Sequence, residues 1–417
     1  MIFQWLDERL ELKNFKEKFL TKTFPTHPSF LFGEIALFSF INLVVTGIFL
    51  GLLYEPSIKN VSLFGAMVPA AYASVVRIDL LPFGMIIRRI HHWSAMIMIA
   101  SIMIHLGRVY FTSAYRKPRE INWLIGLILL AVTILAGFTG YLLPYSEFSV
   151  TATSIAYFIA KSVPWVGGWI ARFLFAGTFP APGTIPRFFF LHVMLIPILL
   201  LSLIGLHLLI LVQQKHTEPA ANKKRKEALG GRKLIGIPVW PEQSFISISL
   251  YFFLLSVVVL MATYIPLNPV EQYGPPSVST PLVRPDWYLL PIYGFLKLIP
   301  GTFSFSIAGG KFSPETLGGV IFPGILGLLL AAVPFLDRAR EPQHYIRSPL
   351  HRPVMTSLGL GIGTFIFMCA VAGYIDVLHI APVVMAIYIG IATVGVWLVS
   401  YLLLRFGKAK KGYDVEI

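Results

Sequence analysis

The sequence predicts an all-α membrane protein with eight transmembrane helices, in which an N-terminal four-helix bundle is followed by a C-terminal four-helix part. Of the 417 residues, 56% are hydrophobic and only 13% are charged, whereas a typical soluble domain has about 25% charged residues. Eight stretches are also long and apolar enough to cross a hydrocarbon core about 30 Å thick. They cover residues 33–54, 84–110, 122–143, 188–213, 245–265, 316–336, 354–374 and 382–404.

The distribution of charge orients these spans. Of the 34 Lys and Arg residues, 24 fall on the side of the membrane that holds both termini. Short loops rich in Lys and Arg stay in the cytoplasm, so we expect cytoplasmic termini and a plasma-membrane location. The same asymmetry explains the net charge of +14 without a nucleic-acid partner. No cleavable signal peptide is expected, and the single cysteine, Cys369, excludes an internal disulfide.

A polar segment at residues 214–241 divides the spans into two groups of four. It contains the basic run Lys223–Lys226 and the pair Gly230–Gly231, which are typical of a solvated loop. We therefore predict an N-terminal domain at 1–213, a cytoplasmic linker at 214–241 and a C-terminal domain at 242–417. Residues 1–20 and 154–175 have amphipathic patterns and are expected to lie in the membrane interface.

Histidines inside the second and fourth spans carry the functional signal, because ionisable groups are costly in a membrane. His91 and His105 are 14 residues apart and His192 and His207 are 15 apart, so each pair lies on roughly one helix face, about 21–22 Å apart along the axis. The two spans run in the same direction, which lets His91 face His192 and His105 face His207. Two imidazole pairs at two depths suit two six-coordinate haems. His92 is rotated off this face.

Glycines in the first and third spans repeat the same spacing. Gly33 and Gly47 are 14 residues apart, as are Gly126 and Gly140. A flat macrocycle can approach a helix closely where no Cβ intervenes, so we interpret these glycines as haem contacts, with tight helix packing as the alternative.

Three arginines flank the histidines and are candidates for the haem propionates. Arg88 and Arg108 lie on the second span, and Arg187 precedes His192 by five residues. Arginine pairs with carboxylates in a bidentate manner; an anchoring role at the membrane boundary is the alternative.

Other interpretations of the histidines stay open on the residues alone. They could form a proton relay in a transporter, or belong to another kind of di-haem, quinone-linked membrane anchor. A lone intramembrane histidine also often makes a hydrogen bond between helices.

Six short motifs resemble cytochrome b of the quinol:cytochrome c oxidoreductases, in its fused form with chloroplast-type features. They are RRIHHWSA at 88–95, HLGR at 105–108, GYLLP at 140–144, RFFFLH at 187–192, PDWY at 285–288 and SPLHRPV at 348–354. The 15-residue histidine step and PVWP at 238–241 are similar to the chloroplast type. Gly33 stands near the position where that type has a haem-binding cysteine, so no additional covalent haem is expected.

The resemblance implies a chemistry for the outer side of the membrane. Quinol would be oxidised near Tyr145, Pro285, Asp286 and Tyr288, with Asp286 accepting a proton. Asp286 stands where the family more commonly has Glu, a variant that favours menaquinone. Electrons would pass to an iron–sulfur protein and, through two non-covalent b-type haems, to a quinone-reducing site on the inner side, as in a Q-cycle.

The inner quinone site and the partners are less closely specified. The candidates for the inner site are Gln214, Lys215, His216 and Glu242, of which His216 is preferred. The resemblance also implies a Rieske-type iron–sulfur protein, a cytochrome c-type subunit, membrane lipid and a homodimer as partners.

Overall fold

A computed structural model describes residues 2–10, 23–25, 27–219, 222–223, 235–267, 273–277 and 282–407. Most of the predicted N-terminal amphipathic segment, most of the basic linker run, the glycine pair at 230–231 and the C-terminal tail lie outside the described residues. The predicted division into two domains at 214–241 stays a prediction.

The described chain is mainly helical, and eight of its helices are long and apolar enough to cross a membrane, as predicted. In chain order the helices are α1 Ile2–Leu10, α2 Pro28–Leu53, α3 Ala70–Leu80, α4 Gly84–Phe111, α5 Glu120–Leu142, α6 Glu147–Lys161, α7 Gly167–Phe175, α8 Thr184–Gln214, α9 Val239–Tyr264, α10 Leu290–Leu298, α11 Pro314–Leu336, α12 Pro353–Ala372, α13 Ile375–Leu378 and α14 Pro382–Phe406. The eight spans are α2, α4, α5, α8, α9, α11, α12 and α14.

Short antiparallel strand pairs close the loops between the helices. The strands are β1 Thr23–Phe24, β2 Asn60–Leu63, β3 Ala66–Pro69, β4 Ile237–Pro238, β5 Phe305–Ile307 and β6 Gly310–Phe312, paired β1 with β4, β2 with β3 and β5 with β6. The pairing of β1 with β4 ties the start of α2 to the start of α9, and therefore the first half of the chain to the second.

The N-terminal bundle is built from two helix pairs, α2 packed on α4 and α5 packed on α8. At mid-depth, Phe40 of α2, Met98 of α4, and Ile196 and Leu200 of α8 form a buried apolar cluster, against which Leu129 of α5 packs. In sequence this cluster lies between the two histidine levels. We call the end of the bundle with His91 and His192 the outer end, and the opposite end the inner end.

The C-terminal half packs against this bundle and is joined to it at the inner end. Asp337, which follows α11, accepts hydrogen bonds from Arg352 Nη2 at 2.6 Å, Tyr115 Oη at 2.5 Å and Arg116 Nε at 2.9 Å. Arg352 also donates to the Tyr110 carbonyl at 3.1 Å. We call Asp337, Arg352, Tyr115 and Arg116 the inner ion cluster.

The region predicted to lie in the membrane interface forms α6 and α7 at the outer end. One side of these helices is buried through Phe148, Tyr157 and Phe175. Large apolar side chains on their other side, such as Phe158 and Trp169, are exposed, as expected for helices in contact with a membrane surface.

Candidate functional site

The outer end holds a facing pair of imidazole rings. His91 of α4 and His192 of α8 lie with their ring centroids 6.2 Å apart and their planes at 67°. Thr46 Oγ1 lies 2.9 Å from His91 Nδ1 and donates its own proton to the Asn42 carbonyl at 2.6 Å. Because that hydroxyl proton is already committed, His91 Nδ1 must be the donor to Thr46.

The second ring of the outer pair is held in the same way. Thr139 Oγ1 lies 3.1 Å from His192 Nδ1 and donates to the Leu135 carbonyl at 2.9 Å. Both rings therefore carry their proton on Nδ1 and keep the lone pair of Nε2 for a metal, as is usual for metal-binding histidines whose other ring nitrogen donates to a neighbouring group. A metal about 2 Å from a nitrogen of each ring places the centroids about 6 Å apart, in agreement with the observed spacing.

A single π-helical turn at Leu191–Leu195 explains the unequal histidine spacing. This turn contains His192 and inserts one residue without adding a helical turn. The 15-residue step from His192 to His207 in α8 therefore has nearly the rotation and rise of the 14-residue step in α4. Such π-bulges are often found at functional sites.

The inner pair lines a cavity of about 360 Å³. His105 of α4 and His207 of α8 both face it. Among the described residues, neither His105 Nδ1 nor His207 Nδ1 has a hydrogen-bond partner of normal geometry, although a backbone group of Asn122 lies near the His207 ring. In the described residues, His, Cys, Asp and Glu form no group of three or more that could hold a metal ion. A metal at either level would take its other ligands from a cofactor, as in a haem.

The four glycines lie against the four histidines. A Cβ atom placed on Gly140 would lie 2.7 Å from His192 Cε1. The corresponding distances are 3.2 Å from Gly47 to His91, 3.4 Å from Gly33 to His105 and 3.6 Å from Gly126 to His207. The missing Cβ atoms therefore make room for the imidazole rings; contact between these glycines and a haem edge stays a prediction.

These glycines also let the rings reach a backbone carbonyl. Leu43, Ala136 and Asn122 each precede one of the glycines by four residues, and their backbone groups lie within hydrogen-bonding reach of His91, His192 and His207 respectively. Three of the four glycines thus allow a predicted ligand ring to lie against the backbone of the neighbouring helix.

The three arginines have different surroundings. Arg88 forms a bidentate pair with Asp79, with Nε–Oδ1 and Nη2–Oδ2 distances of 2.6 Å. Arg187 is exposed and donates to the Phe173 carbonyl at the end of α7. Arg108 lines the inner cavity and its Nε is buried without a partner. Arg108 Nη2 also donates to Thr217 Oγ1, at 3.5 Å. The propionate role stays a prediction for all three arginines, and Arg108 is the one that lines the cavity with the inner histidines.

The predicted quinol-oxidising residues are brought together only in part. Asp286 follows the partly buried Pro285, and burial raises the pKa of the Asp286 carboxyl to about 6. Tyr288 is buried, and its Oη atom would lie 2.6 Å from a Cβ on Gly137 of α5. Because Gly137 is one helical turn from Gly140, this loop lies next to the outer histidine pair.

Tyr141, at the outer end of α5, interacts with this loop. It lies close enough to Asp286 and Tyr288 to interact electrostatically with both. The predicted Tyr145 lies in another cluster, against Ala71 and Ile185. The sequence analysis missed Tyr141, although its place directly after Gly140 could have indicated that it lies at the same level.

The residues predicted for the inner quinone site also differ in their surroundings. His216 lines the cavity and packs edge-on against Phe24 and Phe30, with centroids 4.3 and 5.6 Å away. Burial, together with the charges of Arg108 and Arg119, lowers the pKa of His216 to about 4. Gln214 donates to the Pro118 carbonyl at 2.6 Å, and Lys215 and Glu242 are exposed.

Among the cavity residues that the sequence analysis missed is one acidic side chain. Glu34, in the first turns of α2, lines the cavity, and its carboxylate accepts hydrogen bonds from Gln243 Nε2 at 3.0 Å and Ser247 Oγ at 2.8 Å. A carboxylate within an otherwise apolar span was a signal that could have identified it.

Comparisons with known proteins agree with this arrangement. Residues 96–275 match the family described as "Cytochrome b(N-terminal)/b6/petB", and residues 275–402 match "Cytochrome b(C-terminal)/b6/petD". Over 388 residues the chain is 35% identical to the cytochrome bc1 complex cytochrome b subunit of Streptomyces coelicolor, covering 89% of this chain and 70% of that protein. The chain belongs to the cytochrome b family. Cytochromes b hold b-type haem, and the eight spans make this one a multi-pass membrane protein.

Further similarities support the same family and fold. The cytochrome bc1 complex cytochrome b subunit of Mycobacterium leprae is 35% identical over 376 residues, covering 86% of this chain and 67% of that protein. A solved structure titled "Hyperthermophilic respiratory Complex III" superimposes with a TM-score of 0.72 at 24% identity, covering 96% of this chain and 97% of that chain. The predicted fold of this cytochrome b is therefore confirmed.

Proposed function

We propose that this cytochrome b is the di-haem subunit of a bc1-type quinol:cytochrome c oxidoreductase. In this function quinol is oxidised at the outer end, quinone is reduced at the inner end, and the reactions are coupled to proton translocation in a Q-cycle. The observation that carries the proposal is the pair of facing histidines at each of two levels of one bundle. The names of the relatives in Streptomyces and Mycobacterium support it.

The protein's part in electron transfer is to hold two metal centres at two depths. His91 and His192 would ligate at the outer level, and His105 and His207 at the inner level. When bound, b-type haems supply one-electron transfer between these levels, about 21 Å apart for a 14-residue helical step. This distance is about two-thirds of the thickness of the hydrocarbon core. Each electron that crosses it therefore does about 1.5 kcal/mol of work per 100 mV of membrane potential.

The outer loop supplies a base for quinol oxidation. With its pKa raised to about 6 by burial, the Asp286 carboxylate is ionised at neutral pH and still basic enough to accept a quinol proton. Tyr288 and Tyr141 border the carboxylate and the outer histidine pair, so a quinol held there would lie beside both the base and the outer metal centre. The preference for menaquinone rests on Asp286 alone.

The partners and location of the protein follow from the same proposal. An outer electron acceptor is needed, for which a Rieske-type iron–sulfur protein and a cytochrome c-type subunit are proposed. A homodimer embedded in plasma-membrane lipid, with both termini in the cytoplasm, completes the proposed assembly.

Spectroscopy of the purified protein tests the proposal. Reduced-minus-oxidised spectra with haem quantitation should show two b-type haems per chain, and added quinol should reduce them. Fewer than two haems per chain, or haems that quinol does not reduce, would contradict the proposed function.

A further inference from the structure

The inner cavity contains one acidic side chain that the haem ligands do not need. Of the residues that line it, His105 and His207 are assigned to the metal, and Arg108 and Arg119 are cations that keep their protons. The remaining titratable side chains of the lining are Glu34, His216 and Tyr115. Of these, Glu34 carries the carboxyl group, which accepts a proton when ionised and donates one when protonated.

The hydrogen bonds of Glu34 connect it to the other half of the chain. Its two carboxylate oxygens accept from Gln243 and Ser247, both near the start of α9. Gln243 is buried, while its neighbour Glu242 is exposed at the inner end. Glu34 therefore lies between the cavity and the start of α9, at the inner end of the bundle.

The other charged groups around the cavity favour a proton-loading site at this position. Arg108 and Arg119 face the same cavity and supply positive charge, and His216 is kept neutral at pH 7 by burial and by those arginines. The partners on α9, Gln243 and Ser247, are uncharged. Glu34 is thus the carboxyl group of the lining that can change its charge when electrons enter the cavity.

We propose that Glu34 delivers the protons for quinone reduction at the inner end, a role that rests on the proposed function. Reduction of a quinone to a quinol takes up two electrons and two protons. The proposed function supplies the electrons. In each of the two one-electron steps the Glu34 carboxyl O–H bond breaks as a new O–H bond forms on a quinone oxygen. The carboxylate is reprotonated from the inner aqueous side, past Gln243, between the steps.

The Glu34→Gln variant tests this role with little change of shape, because an amide keeps the volume and an acceptor oxygen for Ser247. The measurement is the rate at which a short-chain quinone reoxidises pre-reduced b-haem in the purified protein, with the outer site inhibited. We expect the rate to fall about 10²-fold, the usual contribution of a positioned general acid. The matched control is Glu341→Gln, which neutralises an exposed carboxylate in the loop after Asp337 at the same end and should leave the rate unchanged.

A second measurement does not depend on the activity or folding of that variant. The redox-difference infrared spectrum of the unaltered protein should contain a carboxyl C=O band that shifts in D₂O. Ser247→Ala removes one hydrogen bond to Glu34 and should move this band, while Glu341→Gln should not.

The outcomes separate the two proposals. A Glu34→Gln rate within twofold of the unaltered protein, or a spectrum without a Ser247-sensitive carboxyl band, would overturn the role of Glu34 and leave the proposed function intact. Unaltered protein that holds two haems but is not reoxidised by quinone would overturn both.

Discussion

His91 and Thr46 form a hydrogen bond whose direction is fixed by a third group. Thr46 Oγ1 gives its proton to the Asn42 carbonyl at 2.6 Å and so must accept the Nδ1 proton of His91 at 2.9 Å. Thr139 does the same for His192 at 3.1 Å. The two threonines therefore select the imidazole tautomer that leaves the Nε2 lone pair of each ring available for a metal.

Removal of these hydroxyls should weaken the outer haem site selectively. Thr46→Val and Thr139→Val keep the side-chain shape but free the Nδ1 protons, and loss of such outer-shell partners lowers metal affinity about 10–100-fold. Haem titration should show weaker binding at one of two sites. Thr263→Val is the control, because Thr263 is exposed and donates to the Val259 carbonyl of its own helix, at 2.8 Å. Equal haem affinity in all three variants would contradict the role of the threonines.

Replacement of single histidines should separate the two levels. His192→Ala should remove the outer haem and His207→Ala the inner haem, so each variant should retain one haem per chain. His92→Ala should retain both, because His92 packs against Trp93, with centroids 5.7 Å apart. Pyridine haemochrome quantitation measures the number of haems per chain. Two haems in His192→Ala, or one in His92→Ala, would contradict the assignment.

The effect of replacing these glycines with alanine should depend on the distance between the new Cβ atom and the histidine ring. In Gly140→Ala the new Cβ would lie 2.7 Å from His192 Cε1, and such overpacking costs about 1–3 kcal/mol. Gly126→Ala, at 3.6 Å from His207, should be tolerated. Gly205→Ala on α8 is the control, because nothing lies within 4 Å of its new Cβ, and helix propensity favours Ala by about 1 kcal/mol. Outer-haem occupancy should fall in Gly140→Ala only.

The spans and the histidine pairing could be predicted because each rests on a strong regular signal. Runs of about 20 apolar residues are rare outside membrane helices, and helical periodicity brings residues 14 apart onto one face. The π turn around His192 was not predictable from spacing alone. It explains why a 15-residue step matches a 14-residue step, which the sequence analysis accepted as an approximate fit.

The remaining parts of the site depend on contacts between distant segments. Three features of the site are tertiary contacts. They are the pairing of Arg88 with Asp79, the placement of Tyr141 rather than Tyr145 beside Asp286, and the hydrogen bonds from α9 to Glu34. Loop conformation decides the first two, and packing between the halves decides the third. The periodicity of residues within one helix predicts neither loop conformation nor the packing between the two halves.

The raised pKa of Asp286 predicts the pH dependence of quinol oxidation. An ordinary aspartate is ionised above about pH 4, but burial raises this pKa to about 6. Because only the carboxylate can accept a proton, the rate should rise with pH through 6 and fall about tenfold per pH unit below it. Asp286→Asn should lower the rate about 10²–10⁴-fold at neutral pH.

The control for the pH dependence is a carboxylate elsewhere at the outer end. Glu55 is exposed, and Glu55→Gln should leave both the rate and the pH profile unchanged. A profile that is flat between pH 5 and 7 in the unaltered protein would contradict the role of Asp286 as the base.

The inner ion cluster should contribute to stability through the burial of its charges. The side chain of Asp337 is 13% exposed, and those of its partners Arg352 and Arg116 are 6% and 11% exposed. Asp337→Asn leaves two buried guanidinium groups without a counter-charge, and removal of one partner of a buried pair costs about 3–5 kcal/mol. Thermal unfolding in detergent should show a lower midpoint.

Glu8→Gln is the matched control, because Glu8 and its partner Arg9 are 73% and 51% exposed, and exposed pairs contribute about 0–1 kcal/mol. Equal midpoints for the two variants would show that the cluster does not hold the two halves together.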